Sequence, residues 1–296
     1  MKIFSIKSIL IIFTFVNLIF SINAQDSSCD YFGLSEPKDT PEKFNPETLN
    51  LDGRFKFNVE ITNCNEVYFT TIDANENIYV SKKENDTWSH PKIASFSDPN
   101  YNDADPFLSK DGKTMYFIST RPTNVSDNNQ DYNIWSSNNL NGKWSQPKPL
   151  PETINTDDFD EYFFSISNKG NVFFSSNRTG GEGSFDIYTA KILDDYSFTK
   201  PKNVGKPIST EKYEFDPYIS PDERFIIFSI NENNNSSLYY SYKDKNNEWV
   251  KPQNMGEKIN ITNQDFAPSL SPDGKFIFFS NNGKLKWIST DILSIP

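Results

Sequence analysis

One pattern occurs four times along this chain, and it constrains the fold more than any other feature of the sequence. Each copy contains an acidic residue, an apolar strand, a turn led by serine, an aromatic strand and a closing motif with an aromatic residue three positions before proline. The turns are spaced by 58, 53 and 51 residues, with leading serines at Ser109, Ser167, Ser220 and Ser271. The closing motifs are spaced by 56, 54 and 51 residues, beginning at Trp88, Trp144, Phe198 and Trp249. Such a period predicts a propeller, a solenoid or a similar array.

The residue types within each repeat are those of β-strands. Runs of β-branched and aromatic residues after turns predict the buried second strands of five sheets, at 67–70, 115–118, 172–175, 225–228 and 276–279. Third strands follow at 77–80, 133–136, 186–189, 238–241 and 286–289. The proline of each closing motif cannot donate a ladder hydrogen bond, which predicts an outermost strand whose aromatic ring packs between sheets. No stretch has helical periodicity with caps, so we predict an all-β fold of four-stranded blades.

Residues 1–24 have the features of a signal peptide. Lys2 and Lys7 precede an apolar run at 9–20, which small residues follow up to Ala24. A membrane anchor is the weaker alternative, because this run is too short to span a bilayer. We expect cleavage after Ala24, an N-terminal extension at 25–43, a single propeller domain at 44–296, and export to the periplasm or the cell exterior.

The charge of the chain argues against nucleic acid as a partner. Loss of the two signal lysines takes the formal charge from −11 to −13, and no block of basic residues compensates for it. The acidity could steer cations or basic partners, but a solvated surface is the simpler interpretation.

The mature chain contains two cysteines, Cys29 and Cys64. An oxidising compartment would permit them to pair. The disulfide would pin the N-terminal segment onto the first repeat and, by the chain-entropy argument, stabilise the fold by on the order of 3 kcal/mol.

Residues 265–280, DFAPSLSPDGKFIFFS, resemble the TolB-type, WD40-like β-propeller repeats of exported bacterial proteins. The signature of that family is an acidic residue, then Ser-Pro-Asp-Gly-Lys, then an apolar strand. Residues 103–120 match nearly as well, 161–176 have Asn168-Lys169 in place of Pro-Asp, and 55–80 lack both the acidic residue and the Asp-Gly turn. The resemblance covers about residues 44–293 and implies a propeller. Such repeats serve as binding platforms, as partners in envelope complexes and as domains appended to hydrolases, so function is left open.

The two ends of the chain predict five blades. The sequence after Trp287 is too short for an outer strand, whereas residues 44–49 resemble the closing motif with one residue deleted. We predict that this N-terminal strand completes the last blade and closes the ring. A six-bladed TolB-like ring is the alternative, and it would require residues 29–52 to build most of another sheet.

Equivalent residues of the repeats should meet on one face of the propeller. The acidic residues that open the repeats form a first column at the start of the innermost strands: Asp103, Glu161, Glu214 and Asp265. Asp105 and Asp216 form a second column, which is partial because Phe163 and Ala267 occupy its other places. These six carboxylates are the ligand-binding candidates. They could hold Ca²⁺ or meet a basic or hydroxyl-rich ligand, or each could cap a turn within its own blade.

Two further features of the repeats lead to local predictions. Arg178 and Asp186 are expected to pair within one blade, because the next repeat has Asn231 and Ser237 in their places and so lacks both charges. Glu223 stands where the other turns have glycine, which predicts either a different turn or a strained one.

The residue inventory disfavours most enzymes. His90 is the only histidine and lies in a closing motif, so a metal site with several histidines is excluded and a Ser-His-Asp triad is disfavoured. We therefore favour an exported, monomeric, non-catalytic binding or interaction module of the cell envelope, with a protein or glycan partner and no cofactor unless Ca²⁺. The alternative is a five-bladed glycoside hydrolase, which needs only a carboxylate pair near the central channel.

Overall fold

The computed structural model describes residues 29–51, 54–195 and 197–296, so the predicted signal peptide lies outside the described residues. The first strand along the chain is β1 (Glu42–Lys43), which belongs to the last blade. Blade 1 then contains β2 (Lys56–Thr62), β3 (Glu66–Ile72), β4 (Glu76–Glu84), β5 (Thr87–Trp88) and β6 (Lys92–Ile93). Blade 2 contains β7 (Asp103–Leu108), β8 (Thr114–Ser119), β9 (Asn133–Leu140), β10 (Lys143–Trp144) and β11 (Lys148–Pro149).

The remaining three blades follow the same order. Blade 3 contains β12 (Glu161–Ile166), β13 (Asn171–Ser176), β14 (Asp186–Lys191) and β15 (Lys202–Asn203). Blade 4 contains β16 (Tyr213–Ile219), β17 (Phe225–Glu232), β18 (Asn235–Tyr242) and β19 (Gln253–Asn254). Blade 5 contains β20 (Asp265–Leu270), β21 (Phe276–Asn281) and β22 (Lys284–Ser289), with β1 as its outermost strand. Short 3₁₀ helices occur at Tyr31–Gly33, Glu47–Leu49 and Thr290–Ile292.

The five sheets form a closed propeller, as predicted. All strand pairs within the blades are antiparallel, and each predicted second and third strand lies within the corresponding observed strand. The first strand of every blade contacts the first strand of the next, and β20 returns to β2. Five innermost strands therefore surround a central channel, and the six-bladed alternative is excluded.

The N-terminus closes the ring, although not with the residues that we expected. Strand β1 pairs with β22, two residues ahead of the predicted segment 44–49. Phe44 then donates its backbone N–H to the Leu285 carbonyl at 2.9 Å, and its ring packs against Phe278 at 4.9 Å. Cys29 forms a disulfide with Cys64, in the turn between β2 and β3. The N-terminal segment is thus bonded to blade 1 and hydrogen-bonded to blade 5.

The aromatic residue of one closing motif packs between blades. Trp144 of blade 2 lies 6.4 Å from Tyr68 of blade 1, ring to ring, and donates its indole N–H to the Tyr68 hydroxyl at 3.2 Å. Phe198 of blade 3 packs edge-on against Phe164 of its own blade at 6.4 Å. Packing between sheets, as predicted, is therefore confirmed for Trp144.

Glu223 adopts the strained conformation that the sequence left open. Its φ is +62°, in the left-handed region, yet its side chain is buried. The carboxylate accepts hydrogen bonds from Ser167 and Asn171 of blade 3, and from the Lys243 ammonium at 3.3 Å. The contacts that Glu223 makes between blades 3 and 4 offset the strain of the turn.

Every innermost strand is interrupted at the same place. The register shifts after the second or third residue of each strand, which is a β-bulge. The bulged residues have φ between +42° and +53°: Asn58, Asp105, Phe163, Asp216 and Ala267. This fivefold bulge is the place where the second column lies. In the part of the chain that the structure describes, no helix is long and apolar enough to cross a membrane.

Candidate functional site

The first column lies at the start of the innermost strands, as the repeats predicted, but its members are buried within the blades. Asp103, Glu161, Glu214 and Asp265 are all fully buried. Each accepts a hydrogen bond from a backbone N–H of the preceding loop, at 2.6, 2.9, 3.0 and 3.0 Å, from Asp98, Thr156, Thr210 and Thr262 respectively. This arrangement attaches the connection between blades to the strand that follows it, which is the turn-capping role that the sequence allowed. None of the four lines the central cavity.

Arginines complete the first column in two blades. Arg121 pairs with Asp103, and Arg178 pairs with Glu161 at 2.9 Å. The predicted pair of Arg178 with Asp186 is therefore wrong: Asp186 instead accepts the backbone N–H groups of Glu182 and Gly183. Burial raises the pKa of Glu161 to about 7, although Arg178 and Thr156 lower it.

Both arginines also lie over aromatic rings. The Arg178 guanidinium is 5.0 Å from the centre of the Phe174 ring and 5.1 Å from that of Tyr188. The Arg121 guanidinium lies 5.4 Å from Phe117 and 5.7 Å from Trp135. The cores of blades 2 and 3 thus each hold a cation between a carboxylate and aromatic faces.

The second column faces the channel. Asp105 and Asp216 are each 6% exposed, and both line the cavity at one mouth of the channel. Their backbone places them there, because both are the left-handed residues of the bulge. An oxygen of Asp216 accepts the backbone N–H of Ala267 at 2.9 Å. The Oδ1 atom of Asp105 is buried and has no hydrogen-bond partner within the described ranges.

The two carboxyl groups of the second column influence each other. Burial raises the pKa of Asp105 well above its usual range, the negative charges of Asp216 and Glu76 raise it further, and the Asn58 side chain opposes them. Burial also raises the pKa of Asp216, while the Ala267 N–H lowers it. Both acids therefore retain protons at a higher pH than exposed aspartates do.

Aromatic rings surround these two carboxyl groups. We call this cavity, of about 860 Å³, the channel mouth. One wall is an aromatic arc whose successive ring centres are 4.9, 5.4, 4.6 and 5.0 Å apart: Tyr132, Tyr162, Phe185, Tyr213 and Phe215. All but Phe185 line the cavity. Phe55, Phe57 and Phe266 form the opposite wall.

A third, partly buried carboxylate at the channel mouth was not among the sequence candidates, and neither was the exposed Glu211. Glu76, the first residue of β4, lines the cavity and accepts a hydrogen bond from the Tyr132 hydroxyl at 2.9 Å. Burial raises its pKa, and this hydrogen bond lowers it. Glu76 does not belong to a repeated position, so the sequence pattern did not indicate it. The sequence did contain a pattern for the aromatic rings: in three of the four repeats the residue after the first-column position is aromatic, at Tyr162, Phe215 and Phe266.

The described residues contain no group of three or more His, Cys, Asp or Glu side chains arranged to hold a metal ion. The channel mouth places carboxyl groups with raised pKa values between aromatic walls, which suits ligand binding and proton transfer.

Comparison with known proteins relates the chain to others only through its fold. No protein-family model matches it, and no match was found among curated proteins. An α-L-arabinofuranosidase from Lactobacillus brevis superposes with a TM-score of 0.53 at 16% identity, covering 77% of this chain and 82% of that one. A protein described as TolB from Agrobacterium tumefaciens gives 0.51 at 14% identity, with 80% and 78% covered. A thermostable family-43 glycoside hydrolase gives 0.50 at 13% identity, with 81% and 89% covered. These similarities establish a propeller fold that TolB-like proteins and glycoside hydrolases share.

Proposed function

We propose that this protein is an exported, non-catalytic recognition module of the cell envelope, and that it binds its partner at the channel mouth. The observation that carries the proposal is the convergence of aromatic rings and two buried carboxyl groups on one cavity of about 860 Å³. Cavities of this volume with apolar walls and few polar groups are typical ligand sites. The partner is a protein or a glycan, because aromatic faces and carboxylates can recognise either.

The irregularity of the second column supports this proposal. All five innermost strands have the bulge, whether its left-handed residue is Asn58, Phe163 or Ala267. Blade geometry therefore does not require aspartate there, although aspartate and asparagine adopt left-handed φ more readily than most residue types. Both aspartates line the cavity, so a contact with its ligand gives them a role that the fold does not require.

The test is a binding screen of the chain that begins at Gln25, against glycan arrays and peptide pools, with and without Ca²⁺. Tyr162→Leu removes one ring of the aromatic arc, and Trp249→Leu is the matched control, a partly buried ring in the closing motif of blade 4 that does not line the cavity. We expect Tyr162→Leu to weaken binding about tenfold and the control to leave it unchanged. A ligand that binds both variants as tightly as the wild type would place the site elsewhere and refute the proposal.

A glycoside hydrolase is the second candidate, and one specific observation favours it. Burial raises the pKa of both Asp105 and Asp216, and the charge of Asp216 raises that of Asp105 further, so one could stay protonated as an acid while the other is ionised. Release of sugar from a glycan library by the wild type, lost in Asp105→Asn and retained in the exposed-site control Asp158→Asn, would replace the recognition proposal with catalysis.

A further inference from the structure

The acidic side chains of the channel mouth lack basic partners. Asp105, Asp216, Glu76 and Glu211 line it, and none of them forms an ion pair with a basic side chain among the described residues. The one lysine of its lining, Lys212, points its ammonium to Glu232, at 2.8 Å. An anionic ligand is therefore disfavoured.

The burial of Asp105 adds a second, independent observation. Its side chain is more than nine-tenths buried, and its Oδ1 atom lacks a hydrogen-bond partner although it belongs to a residue that lines the cavity. A buried, unpartnered carboxylate oxygen is unfavourable, and a donor that carries positive charge would relieve both the missing hydrogen bond and the missing counter-charge.

The blade cores show which partner satisfies such a group in this protein. In blades 2 and 3, a buried carboxylate of the first column is paired with an arginine that also lies over aromatic rings. The channel mouth also has carboxylates, in Asp105 and Asp216, and aromatic rings, in the aromatic arc. No arginine lies among its lining residues, and Lys212 pairs with Glu232 instead.

We propose that the channel mouth binds the side chain of an arginine or lysine presented by a protein partner, with its cation between the Asp105 and Asp216 carboxylates and the aromatic arc. This inference rests on the proposed function and specifies its ligand. The aliphatic stem of such a side chain would lie along the aromatic faces. The size of the cavity, about 860 Å³, admits neighbouring residues of the partner as well.

Binding of a cation should release protons. Burial raises the pKa of both aspartates in the protein without ligand, and a bound cation lowers the pKa of a neighbouring carboxyl group. Affinity for the cation should therefore increase as the pH rises from about 5 to about 8. A neutral sugar should produce a weaker linkage, because it supplies hydrogen bonds to the carboxylates but no charge.

The experiment is isothermal titration calorimetry with hexapeptide pools that have arginine, lysine, citrulline or norleucine at the central position. Citrulline retains the shape of arginine without its charge. We expect arginine pools to bind about tenfold more tightly than citrulline pools, with proton release measured from two buffers of different ionisation enthalpy. The Asp105→Asn/Asp216→Asn variant should lose both the preference and the proton release, whereas Asp158→Asn should keep them.

Equal binding of arginine and citrulline pools, or an unchanged preference in the double variant, would overturn the inference. If neutral oligosaccharides bind and Tyr162→Leu weakens them while no basic peptide binds, the inference fails but the proposed function holds. If neither peptides nor oligosaccharides bind at the channel mouth, both fail.

Discussion

The two acidic columns lie two residues apart on the same strands, yet they have opposite surroundings. First-column residues such as Glu161 accept hydrogen bonds from a backbone N–H and from side chains, and two of the four have an arginine. Second-column residues face the channel mouth and form no ion pair among the described residues, and Asp105 has an unpartnered oxygen. One set of carboxylates stabilises the blades, and the other faces the cavity that we propose as the ligand site.

The difference shows how to interpret repetition in a propeller. An acidic residue that occurs in four blades performs a task that those blades share, here the attachment of the incoming loop. An acidic residue that occurs in only two blades, while Phe163 and Ala267 occupy the same backbone conformation elsewhere, is not needed for that task. We therefore expect the breaks in this repeat, rather than its regular positions, to mark the proposed binding site.

The largest effect should follow from removing a first-column residue that has an arginine. Glu161→Ala leaves Arg178, which is 13% exposed, without its counter-charge, and we expect a loss of about 3 kcal/mol in the free energy of unfolding. Glu214→Ala is the matched control. Its carboxylate bonds to Thr210 and forms no ion pair among the described residues, so about 1.5 kcal/mol should be lost. Urea denaturation measures both, and equal losses would contradict the comparison.

Removing the carboxylates of the second column should increase the free energy of unfolding rather than reduce it. The folded pKa values of Asp105 and Asp216 lie above the unfolded value of about 4, so the folded state binds more protons and stability is lost as the pH rises through those values. The Asp105→Asn/Asp216→Asn variant should therefore be about 2 kcal/mol more stable than the wild type at pH 7.

That gain should disappear below about pH 4, where both carboxyl groups are protonated in either state. Denaturation curves at several pH values, with Asp158→Asn as the control, test this dependence. A destabilised double variant at neutral pH would mean that the second column is structural like the first.

An intermediate effect is expected at the third carboxylate of the channel mouth. Tyr132→Phe removes the hydroxyl that donates to Glu76, which should reduce stability by about 1.5 kcal/mol and raise the pKa of Glu76 further. Tyr213→Phe is the control from the same arc, since no hydrogen bond of its hydroxyl occurs among the described residues. The two variants should differ in thermal and urea denaturation. Similar curves would show that the hydrogen bond from Tyr132 to Glu76 does not stabilise the channel mouth.

The smallest effect concerns the bulge itself. Ala267 has a φ of +53° and is buried, so Ala267→Gly relieves left-handed strain while it removes a methyl group. Ala104→Gly, one position earlier in blade 2, removes a buried methyl group without that relief. We expect Ala104→Gly to be less stable than Ala267→Gly by about 1 kcal/mol. Equal stabilities in urea denaturation would show that the bulge is unstrained.

Much of the fold was predictable because its determinants are local. Segments such as 276–279 have consecutive β-branched and aromatic residues after a turn, and strand Phe276–Asn281 is buried throughout. Proline in the closing motifs limited those segments to blade edges, where the short outer strands are found. The sequence predicted that an N-terminal strand closes the ring, but the closing strand is Glu42–Lys43, and Phe44 beside it packs on Phe278, a long-range contact that the motif did not contain.

The candidate site was predictable only in part. The sequence alone determined the strands, the five repeats, and the break in the second column that singled out Asp105 and Asp216, since spacing and residue type suffice for these. Tertiary structure alone decided that Arg178 pairs with Glu161 rather than Asp186, and that Glu76 and the aromatic arc join the two aspartates around one cavity. These contacts connect different strands and blades, so they depend on the bulged register and the closure of the ring, which no local pattern encodes.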